Sequence, residues 1–310
     1  MQRTASVKRP GKGAARFRRY LPLYLMLLPV IIYYLVFVYA PMGGLVIAFK
    51  DYNIYDGIFG SPWVGFRYFK QFFSSMFAPR LIRNTLAISL YNLVFGFTAP
   101  IILALMFNEV GNMVFKKVSQ TISYLPYFIS TVVIVSIMTL MFSMKTGIVN
   151  NAIVALGGKR INFMGEARFF KSMYVWSGVW QSMGFNSILY LSALTGVDPA
   201  LHEAATIDGA GKWKQFFSIT VPMITPIIFY NLVTQICQAF QEFNGPFIIT
   251  NGGPRGSTTL ISILVYNYAF KSNQMGMASA LAWIMFVIVC ILTIIAFTSQ
   301  KKWVYYSDER

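Results

Sequence analysis

Residues 272 to 300 read SNQMGMASALAWIMFVIVCILTIIAFTSQ, a stretch without Asp, Glu, Lys or Arg. About 20 mainly apolar residues are enough for a helix to cross the hydrocarbon core of a bilayer. This stretch is therefore predicted to be a transmembrane helix. Five other uncharged stretches are long enough as well, at residues 20–49, 84–108, 118–144, 172–197 and 215–241. The sequence predicts an all-α, polytopic membrane protein with six spans.

Composition supports a lipid environment. The chain has 310 residues, of which 56% are apolar and only 12% are charged, and its mean hydropathy is +0.57. Soluble proteins carry about 25% charged residues, so a soluble chain of this length could not bury so much apolar surface. The two cysteines, Cys237 and Cys290, lie inside uncharged stretches, where neither a disulfide framework nor a metal site is expected.

The net charge of +16 at first suggests nucleic acid. A nucleic-acid-binding protein, however, gathers its cations on a soluble face, whereas these cations lie between long neutral stretches. Seven Lys and Arg residues precede Tyr20, and such an excess marks the cytoplasmic side. An even number of spans then places both termini in the cytoplasm, so that tails 1–19 and 301–310 flank a membrane domain at 20–300. The N-terminal tail is also expected to contact anionic lipid.

Two segments allow other interpretations. Residues 256–270, GSTTLISILVYNYAF, are too short to span the membrane and are interpreted as an interfacial or re-entrant helix. The first span could be a signal peptide, since Val38-Tyr39-Ala40 resembles a cleavage site. Its apolar run exceeds the usual 7–15 residues or so, and Pro41 would follow the cut, so a retained anchor is favoured.

The segment 198–222, DPALHEAATIDGAGKWKQFFSITVP, joins spans four and five on the cytoplasmic side. Asp198 suits a helix N-cap and Pro199 the first helical position. A short helix is predicted to end near Asp208, with Gly209 as a left-handed cap and a second short helix starting near Lys212. From spacing alone, the segment could equally be a well-capped loop or an exposed element with a function.

The motif Glu203-Ala204-Ala205, followed by Gly209 and by Ile219-Thr220-Val221-Pro222, resembles the EAA loop of ABC importer permeases. The resemblance implies the type I importer permease fold and a coupling helix that docks on an ATPase subunit. The coupling residues it implies are Glu203, Ala204, Ala205, Asp208, Gly209 and Ala210. The chain has no Gly-x-x-x-x-Gly-Lys-Ser/Thr phosphate-binding motif. It is therefore expected to be no enzyme and to bind no cofactor, with ATP and Mg bound by partner ATPase subunits.

Further segments resemble the carbohydrate-uptake branch of that family. They are Trp63-Val64-Gly65-Phe66-Arg67-Tyr68-Phe69 and Thr250-Asn251-Gly252-Gly253-Pro254. Tyr39-Ala40-Pro41-Met42 and Ala48-Phe49-Lys50-Asp51-Tyr52 are similar to permeases for polysaccharide-derived oligosaccharides. The resemblance implies the cytoplasmic membrane of a prokaryote. It also implies a second, homologous permease, two ATPase subunits or domains, an extracytoplasmic solute-binding protein and an oligosaccharide substrate.

Amide and aromatic side chains that could bind a sugar cluster at the end of the fifth span. The predicted substrate pathway there comprises Gln238, Phe240, Gln241, Glu242 and Asn244, of which Phe240, Gln241 and Asn244 share a helix face with Cys237. The resemblance adds Trp180, Gly184 and Ser187 on the preceding span. These polar groups could instead bond between helices. A carboxylate in or near the membrane costs free energy and usually has a function, so Glu242 is a candidate functional residue. It could also pair with Arg255.

The outer segments carry twelve cations, which motivates the hypothesis of an acidic oligosaccharide. They are Lys50, Arg67, Lys70, Arg80, Arg83, Lys145, Lys159, Arg160, Arg168, Lys171, Arg255 and Lys271. These cations could equally complement an acidic binding protein.

Two other classes of protein compete with an importer subunit. An ion-coupled secondary transporter needs buried ionisable groups or broken helices, and Glu242 is the one candidate within the predicted pathway. A membrane enzyme would have little catalytic equipment, since the chain has one His, His202, which is expected to be a surface contact in the coupling segment.

Overall fold

The computed structural model describes residues 12–243, 245, 247–248 and 259–305. Within that part the backbone is mainly helical, and the one isolated β-bridge joins Lys50 to Trp63. The named helices are α1 (Lys12–Tyr34), α2 (Arg67–Phe73), α3 (Ala78–Glu109), α4 (Met113–Tyr124), α5 (Thr131–Met141), α6 (Ile148–Ala155), α7 (Ala167–Thr195), α8 (Pro199–Ile207), α9 (Lys212–Ala239), α10 (Ile261–Tyr266) and α11 (Met275–Gln300). Shorter helical turns are Leu35–Tyr39, Ala40–Met42, Gly43–Phe49, Gly57–Gly60, Leu125–Phe128 and Asn267–Lys271.

Four helical segments among the described residues are long and apolar enough to cross a membrane. They are Arg19–Phe49, Ala78–Glu109, Lys212–Ala239 and Met275–Gln300, and they coincide with four of the six predicted spans. The fourth predicted span, 172–197, falls on α7, whose 29 residues extend about 43 Å at 1.5 Å per residue. Six membrane crossings are therefore compatible with the structure.

The third predicted span, 118–144, is not one continuous helix. Helix α4 with the turn Leu125–Phe128 meets α5 at a bend of 101°, at Pro126 and the capping residue Ser130. Such a break leaves backbone groups without helical partners, and these must be satisfied inside the protein. The Gln181 side chain does this by donating a hydrogen bond to the carbonyl of Ile129 at 2.8 Å.

The central pair of helices is α3 and α7, which pack along their lengths. Near one end the buried residues Ile88, Val175 and Val179 lie together, and near the other Ala104 contacts Tyr190 and Leu194. Because these contacts run the length of both helices, α3 and α7 form a frame on which the shorter segments are placed.

Helix α10 packs between α11 and α3. Ile261 packs with Phe72 and Leu281, and Ile263 packs with Ile88 on the opposite side. Together with the turn Asn267–Lys271, α10 is too short to cross a bilayer, as expected for the 256–270 segment. Residues 256–258 lie outside the described part of the chain.

The segment that follows the first span folds back on it. Phe49 stacks on Trp63 with ring centroids 5.7 Å apart, and the Lys50 ammonium donates to the carbonyl of Ile58 at 2.6 Å. Asp51 accepts hydrogen bonds from Arg67 at 3.3 Å and from the Tyr68 hydroxyl at 2.8 Å. The Trp63–Phe69 motif thus anchors this loop to the end of the span.

Candidate functional site

The segment 198–222 begins with the short helix α8 and the turn that its sequence predicts, and we call residues 198–217 the knob. The second short helix predicted near Lys212 is the first part of α9, which continues into the fifth span without a break. Asp198 caps α8 by accepting a hydrogen bond from the Ala200 amide at 2.9 Å. Gly209 has φ +74°, a value that L-residues rarely adopt. The Ala210 amide then donates to the Ala205 carbonyl at 2.8 Å. This closure is a Schellman cap, and it turns the chain sharply into α9.

One residue that the sequence analysis missed braces the knob. The amide nitrogen of Gln215 donates to the Ala210 carbonyl at 2.8 Å and to the Thr206 hydroxyl at 2.9 Å. Its amide oxygen lies 3.2 Å from Nδ1 of His202. His202 is therefore half-buried between the two helices of the knob. No spacing rule links Gln215 with residues 5 to 13 positions earlier, because the turn at Gly209 creates these contacts.

The exposed surface of the knob includes four large apolar side chains. Ile207 is 87% exposed, and Leu201, Trp213 and Phe217 are exposed as well. Glu203 and Ala204 are also exposed, whereas Ala205 and Ala210 are half-buried. Several large apolar side chains exposed in one short segment indicate a site of protein contact. These large side chains add to the coupling residues that the resemblance implies.

A polar cavity of about 680 Å³ lies between α3, α5, α7 and the end of α9. Its amide side chains are Asn92, Gln181, Asn186, Gln235, Gln238 and Gln241. Amides both donate and accept hydrogen bonds, which is what sugar hydroxyls require. Of the predicted pathway residues, Gln238, Gln241 and Glu242 line this cavity.

Glu242 is the hub of a hydrogen-bond network at the cavity wall. The Tyr174 hydroxyl donates to one carboxylate oxygen at 2.7 Å, and the Asn92 amide donates to the other at 3.4 Å. The Ser262 hydroxyl donates to the backbone carbonyl of Glu242 at 2.6 Å. Glu242 therefore connects the end of α9 to α3, α7 and α10. Asn92 and Tyr174 are residues of this network that the sequence analysis did not identify.

Other predicted pathway residues lie elsewhere. Trp180 lines a separate apolar cavity of about 590 Å³. Ser187 is fully buried, and Gly184 lies against the backbone of Ser123, so both belong to the contact between α7 and α4. Phe240 is buried beside a third, apolar cavity of about 430 Å³. Asn244 and Arg255 lie outside the described residues.

Among residues 12–243, 245, 247–248 and 259–305, no group of three or more His, Cys, Asp or Glu side chains could hold a metal ion.

Comparison with known sequences gives one family and several close relatives. The family model described as "Binding-protein-dependent transport system inner membrane component" matches residues 96–304. Protein LplB of Bacillus subtilis (strain 168) is 38% identical over 305 residues, which cover 97% of this chain and 96% of LplB. The polygalacturonan/rhamnogalacturonan transport system permease protein YteP of the same organism is 38% identical over 281 residues, which cover 90% of this chain and 88% of YteP.

A solved structure is similar over nearly the whole chain. It is a chain of a bacterial ABC transporter involved in the import of the acidic polysaccharide alginate, with a TM-score of 0.82 and 34% sequence identity. The match covers 94% of this chain and 99% of that chain. The same transporter type has also been solved in complex with an alginate pentasaccharide-bound periplasmic protein, with the same TM-score.

Proposed function

This chain belongs to the family of binding-protein-dependent transport system inner membrane components, and we propose from this that it is one permease subunit of an ATP-driven oligosaccharide importer. The observation that carries the proposal is the likeness, over 94% of the chain, to a permease of an ABC transporter for a polysaccharide. The polar cavity lined by amides is consistent with a hydroxyl-rich substrate. An ion-coupled secondary transporter would not belong to this family.

The knob is proposed to couple the permease to its motor. Glu203, Ala204, Ala205, Asp208, Gly209 and Ala210 supply its exposed helix and its turn, and the apolar surface at Ile207 and Trp213 would enter a groove on the ATPase. Gln215 holds α8 against the start of α9, so that a force applied to α8 by the ATPase is transmitted to α9. ATP and Mg would be bound by the two ATPase subunits, since this chain is the membrane component.

The partners follow from the same assignment. A second, homologous permease would complete the pore, and an extracytoplasmic solute-binding protein would deliver the oligosaccharide. The termini would be cytoplasmic, which places the knob on the same side as the ATPases. The chain would lie in the cytoplasmic membrane of a prokaryote, since the description of its family is that of an inner membrane component.

An acidic oligosaccharide is the proposed substrate class. The names of YteP and of the alginate transporter refer to acidic polysaccharides, and the outer segments of this chain carry twelve cations. Gln238, Gln241 and Glu242 are the proposed pathway residues that line the polar cavity. Trp180, Gly184, Ser187 and Phe240 would act through packing around it.

A charge placed on the knob tests the coupling role. We expect Ile207→Asp to reduce co-purification of the ATPase subunits and ATP-dependent uptake of an oligogalacturonate at least tenfold, because a carboxylate would enter an apolar interface. Leu156→Asp is the matched control, since Leu156 is 88% exposed and Ile207 87%, but Leu156 lies beyond the opposite end of the spans. ATPase co-purification that is unchanged in Ile207→Asp would contradict the coupling role. Uptake driven by an ion gradient without ATP would contradict the proposed function.

A further inference from the structure

Lys171 is a half-buried cation whose hydrogen-bond partner is neutral. Its ammonium donates to the side-chain oxygen of Asn84 on α3 at 2.8 Å. Asn84 is itself only 5% exposed, so its amide is held by the packing of α3 against α7. This contact fixes the position of the Lys171 charge instead of leaving it free in solvent.

The surroundings of Lys171 add positive charge. Arg83 is close enough for its guanidinium to repel the Lys171 ammonium. The ion pairs formed among the described residues are Asp51–Arg67 and Glu166–Arg168, so Lys171 has no carboxylate partner there. Removing a cation from water without a counterion is costly, and a visiting carboxylate would offset that cost.

The position of Lys171 relates it to the polar cavity. Lys171, Tyr174, Gly178 and Gln181 follow one another at helical spacing and share one face of α7, and the last three line the cavity. Lys171 lies one turn before Tyr174, towards the start of α7. In the proposed topology that end of α7 faces the outside, so Lys171 lies at the outer rim of the cavity.

We propose that Lys171, held by Asn84, binds a carboxylate of the incoming oligosaccharide and so favours uronate-containing substrates. The inference rests on the proposed function, and it assigns the preference to one rim residue rather than to the general charge of the outer loops. The carboxylate would accept a hydrogen bond from the ammonium, a charge-assisted contact stronger than one between neutral groups.

The test uses the complete complex with its binding protein in lipid nanodiscs. ATPase stimulation is measured with an oligogalacturonate and with its methyl ester, which has the same number of sugar units but no charge. We expect Lys171→Met to raise the concentration of oligogalacturonate needed for half-maximal stimulation about tenfold and that of the methyl ester less than twofold. Lys171→Arg should keep most of the preference. Lys70→Met removes an exposed outer cation from α2 and should behave as the unsubstituted complex does.

Asn84→Asp provides a second test that retains Lys171. A carboxylate at position 84 would neutralise the ammonium in place, and it should reduce the preference for oligogalacturonate as Lys171→Met does. A preference that persists in both variants would overturn the role of Lys171 and leave the proposed function intact. Equal loss of response to both sugars in both variants would also overturn it, because it would show a docking or folding role. If the unsubstituted complex responds equally to both sugars, the proposed acidic preference itself fails.

Discussion

Glu242 retains a mostly buried position because donors from two different helices reach its carboxylate. A buried acceptor that loses a partner costs about 1–3 kcal/mol, and more when it is charged. The Tyr174 hydroxyl is the shorter of the two contacts, at 2.7 Å against 3.4 Å for Asn92. The network therefore depends most on Tyr174.

Removing the Tyr174 hydroxyl should destabilise the protein. We expect Tyr174→Phe to lower stability by about 1–3 kcal/mol, measured as a fall in the thermal unfolding midpoint of the purified complex. Tyr230→Phe is the control, because Tyr230 lies exposed on α9. In the double variant with Glu242→Gln, the combined loss should be smaller than the sum of the single losses, since both remove the same hydrogen bond. Additive losses would show that the two residues act independently.

At the scale of elements, one stripe of α3 organises the discontinuous segments around it. The Thr85 hydroxyl accepts from the Ile261 amide at 3.1 Å, and the Ser89 hydroxyl donates to the Ala239 carbonyl at 2.8 Å. The Ile261 amide and the Ala239 carbonyl lie at helix ends, where backbone groups have no partner within their own helix. Asn92, one turn further, reaches Glu242. The stripe thus fixes the end of α9 and the start of α10 against α3.

The contact between α4 and α7 depends on a single glycine. A Cβ built on Gly184 would overlap the backbone oxygen of Ser123, so the two helices could not keep this separation. Small residues permit such close approach between membrane helices. The broken third span is thereby held against the frame of α3 and α7.

Gly184→Ala should therefore displace α4 and lower the yield of folded complex several-fold, measured by size-exclusion chromatography. Gly178→Ala is the matched control on the same helix, because a Cβ at Gly178 would meet nothing within 4 Å. A normal elution profile for Gly184→Ala would show that α4 is not held by this contact.

At the scale of the whole molecule, the distribution of cations predicts the orientation in the membrane. The N-terminal tail and the segments at Lys116, Lys117, Lys212 and Lys214 would face the cytoplasm, and the loop at 145–160 would face outwards. The knob would then lie on the cytoplasmic side, where the ATPase subunits are proposed to dock.

Labelling at two exposed lysines tests this orientation. In a variant with Cys237 and Cys290 replaced by Ser, a membrane-impermeant maleimide on intact cells should label Lys159→Cys but not Lys117→Cys. Both positions should react after permeabilisation, because both side chains are exposed. The reverse pattern would place the termini outside and remove the knob from the ATPase side.

The sequence alone determined the all-α class, the approximate limits of four of the six predicted spans and the capping of the knob. These features depend on local properties. They are uncharged runs that form helices long enough to cross the bilayer, an Asp-Pro helix start, and a glycine that can adopt positive φ. Such properties act over a few neighbouring residues, so they can be read directly along the chain.

Tertiary structure decided which polar residues meet. Tyr174 and Asn92 reach Glu242 from positions 68 and 150 residues away, and Lys171 reaches Asn84 across 87 residues. The same packing turns Ser187 and Gly184 into a helix contact rather than a cavity wall. Helical spacing gives the face on which a side chain lies, but only the packing of other helices decides whether that face meets water, lipid or a neighbouring helix.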